Sequence, residues 1–291
     1  MRRHTAIFAA LLSMALCVSC GSSGVPGGQD PVQAETGSRP VTFVFGGFTA
    51  VSGDLPVTRA SLEEANVKFL TLKLFDSGGN AVFSAEQSAG DSGFGSVTGT
   101  LDYGTYTLVA VANGGDARVD VESPDKAGMP SGSRVADTFW VSRGLSVSAS
   151  SESSVSLTLA RPVAAVVVRA TDASMPSGFD HFELELSGGS TSFDPSTGYG
   201  IAPASGAAVQ TYTAAKGALN NGIYTFPVRD GSCTLVVRGC DASGNAIRTH
   251  TIAGIGLSAN RMVTYSGHFF VSETAFSVSV ENEWTKEEKG L

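Results

Sequence analysis

Apolar and polar residues alternate along most of this chain with a period of two. Leu70, Leu72 and Leu74 fall on one side of Thr71 and Lys73, and Phe182, Leu184 and Leu186 fall on one side of His181, Glu183 and Glu185. A period of two places alternate side chains on opposite faces of an extended backbone, so each run predicts a half-buried β-strand. The same reading gives strands at 41–45, 67–75, 81–86, 94–101, 105–112, 134–141, 145–159, 162–168, 181–186, 223–228, 233–240, 246–252, 262–270 and 274–280. Residues 105–112 are nearly continuous in β-formers and small apolar residues, which fits a strand covered on both faces. Gly, Ser, Asn and Asp punctuate the runs. Gly46 and Gly47 weaken the end of the first strand. Residues 54–60, 114–133 and 187–206 read as loops, the second holding Pro124 and Pro130, and residues 61–64 (SLEE) match a capping box for one helical turn. Many short strands and almost no helix predict two consecutive β-sandwiches, the second opening near Arg161. Residues 75–81 (FDSGGNA) echo 240–246 (CDASGNA). Duplication and convergence on good turn chemistry both explain that echo.

The first forty residues break the pattern. Arg2 and Arg3 precede an apolar run at 6–16, which is about eleven residues where a membrane span needs about 20. That length suits the core of an export signal. Val18, Ser19 and Cys20 then look like the tail of a lipobox, in which small or aliphatic residues precede a cysteine that is acylated and becomes the new N-terminus. Cys17 stands where that motif usually has Leu. An ordinary secretory signal, cut between Ser19 and Gly28, is the alternative. Residues 21–39, rich in Gly, Ser, Pro and Gln, read as a flexible tether. The expected organisation is a signal at 1–19, a tether at 20–40, one sandwich at 41–160 and a second at 161–291.

Charge and reactive side chains narrow the function. The net charge is −8, and it becomes more negative when Arg2 and Arg3 leave with the signal. An acidic chain with no basic cluster argues against nucleic acid as a partner, since phosphates demand Lys and Arg. Cys233 and Cys240 lie seven residues apart in one predicted strand. That puts them on opposite faces and about 23 Å apart, beyond disulfide reach. Both are expected to be unpaired and buried. His181, His250 and His268 have no His or Cys at metal-ligand spacing, and no phosphate loop, H-E-x-x-H or G-x-S-x-G motif occurs. Ser123 and Lys126 match a bare S-x-x-K, but Pro124 sits where such enzymes have a helix. No catalytic residue, cofactor or metal ligand is expected, and the chain reads as a non-enzyme. Trp140 follows Phe139 in a strand, so one of the two must face outward.

These pieces, in their order, resemble the fimbrillin-like and anchor-type subunits of type V fimbriae, surface lipoproteins of Gram-negative anaerobes. The matching segments are Cys20 with its tether, and Thr58, Arg59 and Ala60 ahead of 72–79 (LKLFDSGG). They continue with 101–113 (LDYGTYTLVAVAN), 159–164 (LARPVA), 260–267 (NRMVTYSG) and Phe269 with Phe270. The resemblance implies two transthyretin-like sandwiches, no catalysis, and an outer-membrane surface location through lipid on Cys20. It implies other fimbrial subunits as partners, joined by β-strand addition. It further implies proteolytic processing between Arg59 and Ala60, which would release residues 41–48 as a displaced strand. Residues 275–280 have the alternation an inserting strand needs. A non-polymerising lipoprotein that binds glycan or a host ligand is the competing reading, favoured by any outward aromatic cluster around Trp140 or Tyr199.

Overall fold

The computed structural model describes residues 36–49, 62, 65–203, 210–270 and 277–281, and among these every regular element is a strand. The first module holds β1 (Ser38–Thr49), β2 (Phe69–Phe75), β3 (Ala81–Ser88), β4 (Ser96–Asp102), β5 (Gly104–Asn113), β6 (Asp120–Ser123), β7 (Lys126–Gly128), β8 (Thr138–Val147) and β9 (Ser154–Ala160). The second holds β10 (Ala164–Ala170), β11 (His181–Ser187), β12 (Ser192–Phe193), β13 (Gln210–Thr213), β14 (Asn220–Thr225), β15 (Ser232–Cys240), β16 (Ala246–Gly256), β17 (Met262–Gly267) and β18 (Ser277–Glu281). The all-β expectation is met.

Strands of the first module run β3-β2-β5-β8-β9-β1-β4. Neighbours share long ladders, except that β8 meets β9 at the single pair Trp140 and Ala160. The sheet folds over at that weak seam into two layers. Leu70, Leu72, Leu74 and Leu108 of one layer meet Val41, Phe43, Leu157 and Leu159 of the other in a buried core. Each such side chain contributes about 1.5–3 kcal/mol by leaving water. The second module is also a sandwich, with layers β14-β10-β17-β18 and β13-β11-β15-β16. Its core includes Val166, Val168, Phe182, Leu184, Leu186 and Leu235.

The two modules share one topology. β1 lies between antiparallel β4 and parallel β9, and β10 lies between antiparallel β14 and parallel β17. The all-antiparallel layer β3-β2-β5-β8 matches β13-β11-β15-β16 strand for strand. Among the described strands, β18, paired to the far edge of β17, has no counterpart, and β6, β7 and β12 stand outside the shared pattern in a sheet of their own.

That correspondence decides the origin of the repeated turn. Asp76 accepts hydrogen bonds from the backbone of Gly78 and Asn80 at 2.8 and 2.9 Å, and Asp241 accepts them from Ser243 and Asn245 at 2.9 Å each. The geometry is the same, but the first turn joins β2 to β3 and the second joins β15 to β16. Under the shared topology, β15 and β16 correspond to β5 and β8. The echo is therefore convergence on an Asx turn, with Gly79 and Gly244 supplying φ of 79° and 83°. The Asn80 backbone amide, then its side chain, holds the Asp76 carboxyl below its ordinary value of 3.8, and the Asn245 side chain, then its backbone amide, does the same for Asp241. A carboxyl lowered by folding stabilises the native state above the unfolded pKa and loses that effect as pH falls below about 4. The gap in Tm between the native chain and Asp76→Ala should be full at neutral pH and should narrow progressively as pH falls below the unfolded value. An unchanged gap in acid would contradict this account of the turn.

Residues 114–133 are not the open loop that their polarity predicts. They carry β6 and β7, and Val119, Val121 and Ala127 are buried. The segment lies back over the outer face of β2, where Thr71 Oγ1 donates to the Val119 carbonyl and Lys73 Nζ donates to the Val121 carbonyl at 2.6 Å. This explains why β5 is buried on both faces: Leu108, Ala110 and Ala112 point into the sandwich, while Val109 and Val111 point into a second core. Short β12 likewise replaces part of the expected loop at 187–206, and β13 lies outside every predicted strand. β1 runs on through Gly46 and Gly47 with a register shift between Phe45 and Gly47, a bulge that glycine accommodates. The capping box at 61–64 and the loop at 54–60 lie outside the described residues, apart from Leu62 in a turn.

The second core joins the modules. Phe75, Val109, Val121 and Ala127 of the first pack with Val163, Phe193 and Phe226 of the second. β12 extends the contact by pairing with β7, Phe193 opposite Ala127. Arg161, at the junction, forks onto both Asp137 oxygens at 2.7 and 3.0 Å and lies over the Phe139 ring, a bidentate geometry that fixes orientation.

Candidate functional site

The first strand is the element whose surroundings bear most on function. β1 pairs with β4 from Ser38 opposite Asp102 to Val44 opposite Ser96, and with β9 from Thr42 opposite Ser154 to Thr49 opposite Ala160. It does not pair with β2, the next strand in the chain. Val41, Phe43 and Phe45 are buried between the layers at 1%, 0% and 6% exposure. The polar edge is held separately. Arg39 Nη1 donates to the carbonyls of Ser148 and Ala149 at 3.2 and 3.0 Å, and the hydroxyls of Thr42 and Thr98 lie 2.9 Å apart. If β1 left, no other strand pairing would break, yet β4 and β9 would each lose a ladder and the core would lose three side chains. The result is a slot with two free edges and an apolar floor, shaped for another alternating strand.

Cys20, Arg59 and Ala60 lie outside the described residues. Cys233 and Cys240 are both free and buried, as the sequence predicts. Burial pushes the Cys233 thiol up to about 11, so neither its access nor its ionisation suits a nucleophile. Trp140 does face out of its own sheet, but the turn at 194–198 caps it. Its Nε1 donates to the Pro195 carbonyl at 2.9 Å, and its ring meets Phe193 edge-on at 6.2 Å. Gly198, at φ 77°, allows that contact, since a Cβ there would sit 2.4 Å from the indole. Tyr199 is exposed at 38% with the Arg229 guanidinium over its ring at 4.2 Å. The two aromatics therefore do not form one outward platform. The structure also brings together His181, Glu183 and Cys240, which no sequence spacing joins. The signal that finds them is the antiparallel register of β11 and β15, in which His181 stands opposite Cys240.

No curated protein matches this sequence significantly. Among solved structures, a Bacteroides ovatus protein assigned to cell adhesion is similar at 16% identity and a TM-score of 0.50, covering 86% of this chain and 99% of its own. A Bacteroides thetaiotaomicron protein described as polysaccharide binding is similar at 13% identity and a TM-score of 0.51, covering 84% and 96%. The tip fimbrial protein Mfa3 from Porphyromonas gingivalis, with its C-terminus truncated, is similar at 11% identity and a TM-score of 0.44, covering 84% and 100%. The first two likenesses show a shared fold. The family model for fimbrillin-A associated anchor proteins Mfa1 and Mfa2 matches residues 48–288, most of the chain. That match takes in the described strands of both sandwiches from β2 onward, and this chain belongs to the family of fimbrillin-A associated anchor proteins and is a fimbrial or adhesin-like surface protein.

Proposed function

We propose that this chain is a non-catalytic structural or anchoring subunit of a cell-surface fimbria, held to the outer membrane by lipid on Cys20 and joined to other subunits by β-strand addition. The observation that carries strand addition is the placement of β1. It is the first described strand, it bridges β4 and β9, and it pairs with neither of them through a hairpin. In a structural subunit, a cut between Arg59 and Ala60 would free it and part the body from the lipid on Cys20, and an incoming strand would restore both ladders and refill the positions of Val41, Phe43 and Phe45; an anchoring subunit would keep both β1 and the lipid. β18 is a strand of the required kind: its sequence SVSVE alternates, and it has no counterpart in the first module. The competing reading, binding of glycan or a host ligand on a loop face, has the support of the exposed Tyr199 alone among the described aromatics the sequence singled out, because the turn at 194–198 covers Trp140.

The N-terminus and mass of the chain, taken from intact cell membranes and from sheared surface filaments, test this directly. The membrane fraction should begin at acylated Cys20, and Cys20→Ser should release the chain from the membrane. Filaments should begin at Ala60, and Arg59→Gln should remove the chain from the filament fraction while leaving it in the membrane. Filaments that still begin at Cys20 would take Arg59 out of the mechanism. Retention of Cys20→Ser on the membrane would remove the lipid anchor.

A further inference from the structure

On the outer face of the β11–β15 pair, three different metal-ligating side chains converge. One donor atom each from His181, Glu183 and Cys240 lies within 4.8 Å of the others. His181 stands directly opposite Cys240 in the ladder, and Glu183 lies two residues along β11 on the same face. His181 Nε2 is 3.8 Å from Glu183 Oε1, too long for a hydrogen bond. It matches the separation of about 3.3–3.8 Å between two ligands on one tetrahedral zinc, whose bonds run about 2.0–2.3 Å. The imidazole is already oriented. Its Nδ1 faces Asp180 Oδ2 at 3.2 Å, and Asp180 is fixed in turn by Lys216 Nζ at 2.8 Å. A carboxylate on the far nitrogen sets the tautomer with a free lone pair on Nε2, which is the arrangement found behind metal-bound histidines. Arg238 stands opposite Glu183 but is engaged by Glu185 at 2.9 Å, so it does not neutralise Glu183.

We propose that His181, Glu183 and Cys240 form a site for one divalent transition-metal ion, with zinc(II) as its occupant. Imidazole nitrogen, carboxylate oxygen and thiolate sulfur together suit zinc, and water fills the fourth position because Glu183 is partly open to solvent. Binding forms a zinc–sulfur bond as the Cys240 thiol releases its proton to water. The ion would tie β11 to β15 across one ladder position and so brace the second module. This use of the site does not depend on the fimbrial role proposed above.

The test is a titration of the full chain, first stripped with a chelator, using cobalt(II) as the probe and zinc(II) as competitor. One equivalent of cobalt should give a thiolate-to-cobalt charge-transfer band that zinc abolishes. Cys240→Ser should eliminate the band, and His181→Gln and Glu183→Gln should each weaken cobalt affinity about tenfold or more. Cys233→Ser, whose side chain points into the sandwich, should bind as the native chain does. The His181 and Glu183 variants sit on an outer strand face and keep the test intact even where Cys240→Ser fails to fold. Absence of the band, or a band that survives both Cys240→Ser and His181→Gln, would overturn the proposal, the latter because the metal would then sit on other thiols.

Discussion

Phe43→Ala should lower the unfolding free energy of the chain by about 3–5 kcal/mol, the usual cost of emptying a buried phenylalanine site. Phe43 is fully buried, it packs against Leu and Val side chains of both layers, and its ring lies 6.3 Å from that of Phe83. Its neighbour Thr42 points the other way and makes one exposed hydroxyl contact, with Thr98. Thr42→Ala should cost less than about 1 kcal/mol. The pair separates two properties of β1 in the same ladder. If the strand is held by its core-facing side chains, urea denaturation will show a large drop in midpoint for Phe43→Ala and almost none for Thr42→Ala. Equal losses would mean that backbone pairing with β4 and β9 dominates. The comparison also bears on strand exchange. An incoming strand competes with β1 for one slot, so a weakened Phe43 position should make β1 the easier strand to displace and should speed limited proteolysis upstream of β2.

The strands with one wet face were legible from alternation alone. β11 and the edge strand β3 were readable because a period of two survives wherever one side meets water, and β2 because polar Thr71 and Lys73 line the outer face that the segment at 114–133 covers. The nearly unbroken run in β5 was readable as a strand covered twice, though not by what: one cover is the segment at 114–133, whose polar residues hide Val119, Val121 and Ala127 at spaced positions. Three small apolar residues among Gly, Asp and Ser give no periodic signal, so the segment reads as a loop until β2 is placed beneath it. β13 (QTYT) is too short and polar to stand out. The His181, Glu183 and Cys240 cluster joins residues almost sixty positions apart through a cross-strand register, and spacing rules for metal ligands see only neighbours along the chain. The proposed export signal is the reverse case, because the expectation for Cys20 rests on adjacent residues of the sequence alone. The repeated Asp turn shows how similarity can mislead, since matching residues sit at topologically unmatched hairpins.

Phe193→Ala should uncouple the two sandwiches. Phe193 is fully buried, its ring stacks on that of Phe226 with centroids 4.7 Å apart, and its backbone pairs with Ala127 of the first module. It belongs to neither sandwich interior; the cluster around it holds Phe75, Val109 and Val121 from one module and Val163 and Phe226 from the other. Truncation should cost about 3–5 kcal/mol, and that loss falls on the contact between modules. Modules joined by small polar surfaces move and unfold independently, whereas a large apolar contact makes them unfold together. Calorimetry should therefore show one cooperative transition for the native chain and two for Phe193→Ala. Leu184→Ala, inside the second sandwich, provides the contrast: it should lower Tm by a comparable energy while the transition stays single, because the contact is intact. A single, slightly lowered transition for Phe193→Ala would show that the Arg161 and Asp137 fork, with the β7–β12 pairing, suffices to hold the modules as one unit. Two transitions would locate the rigidity of this surface protein in an aromatic cluster that its sequence disguises as a loop.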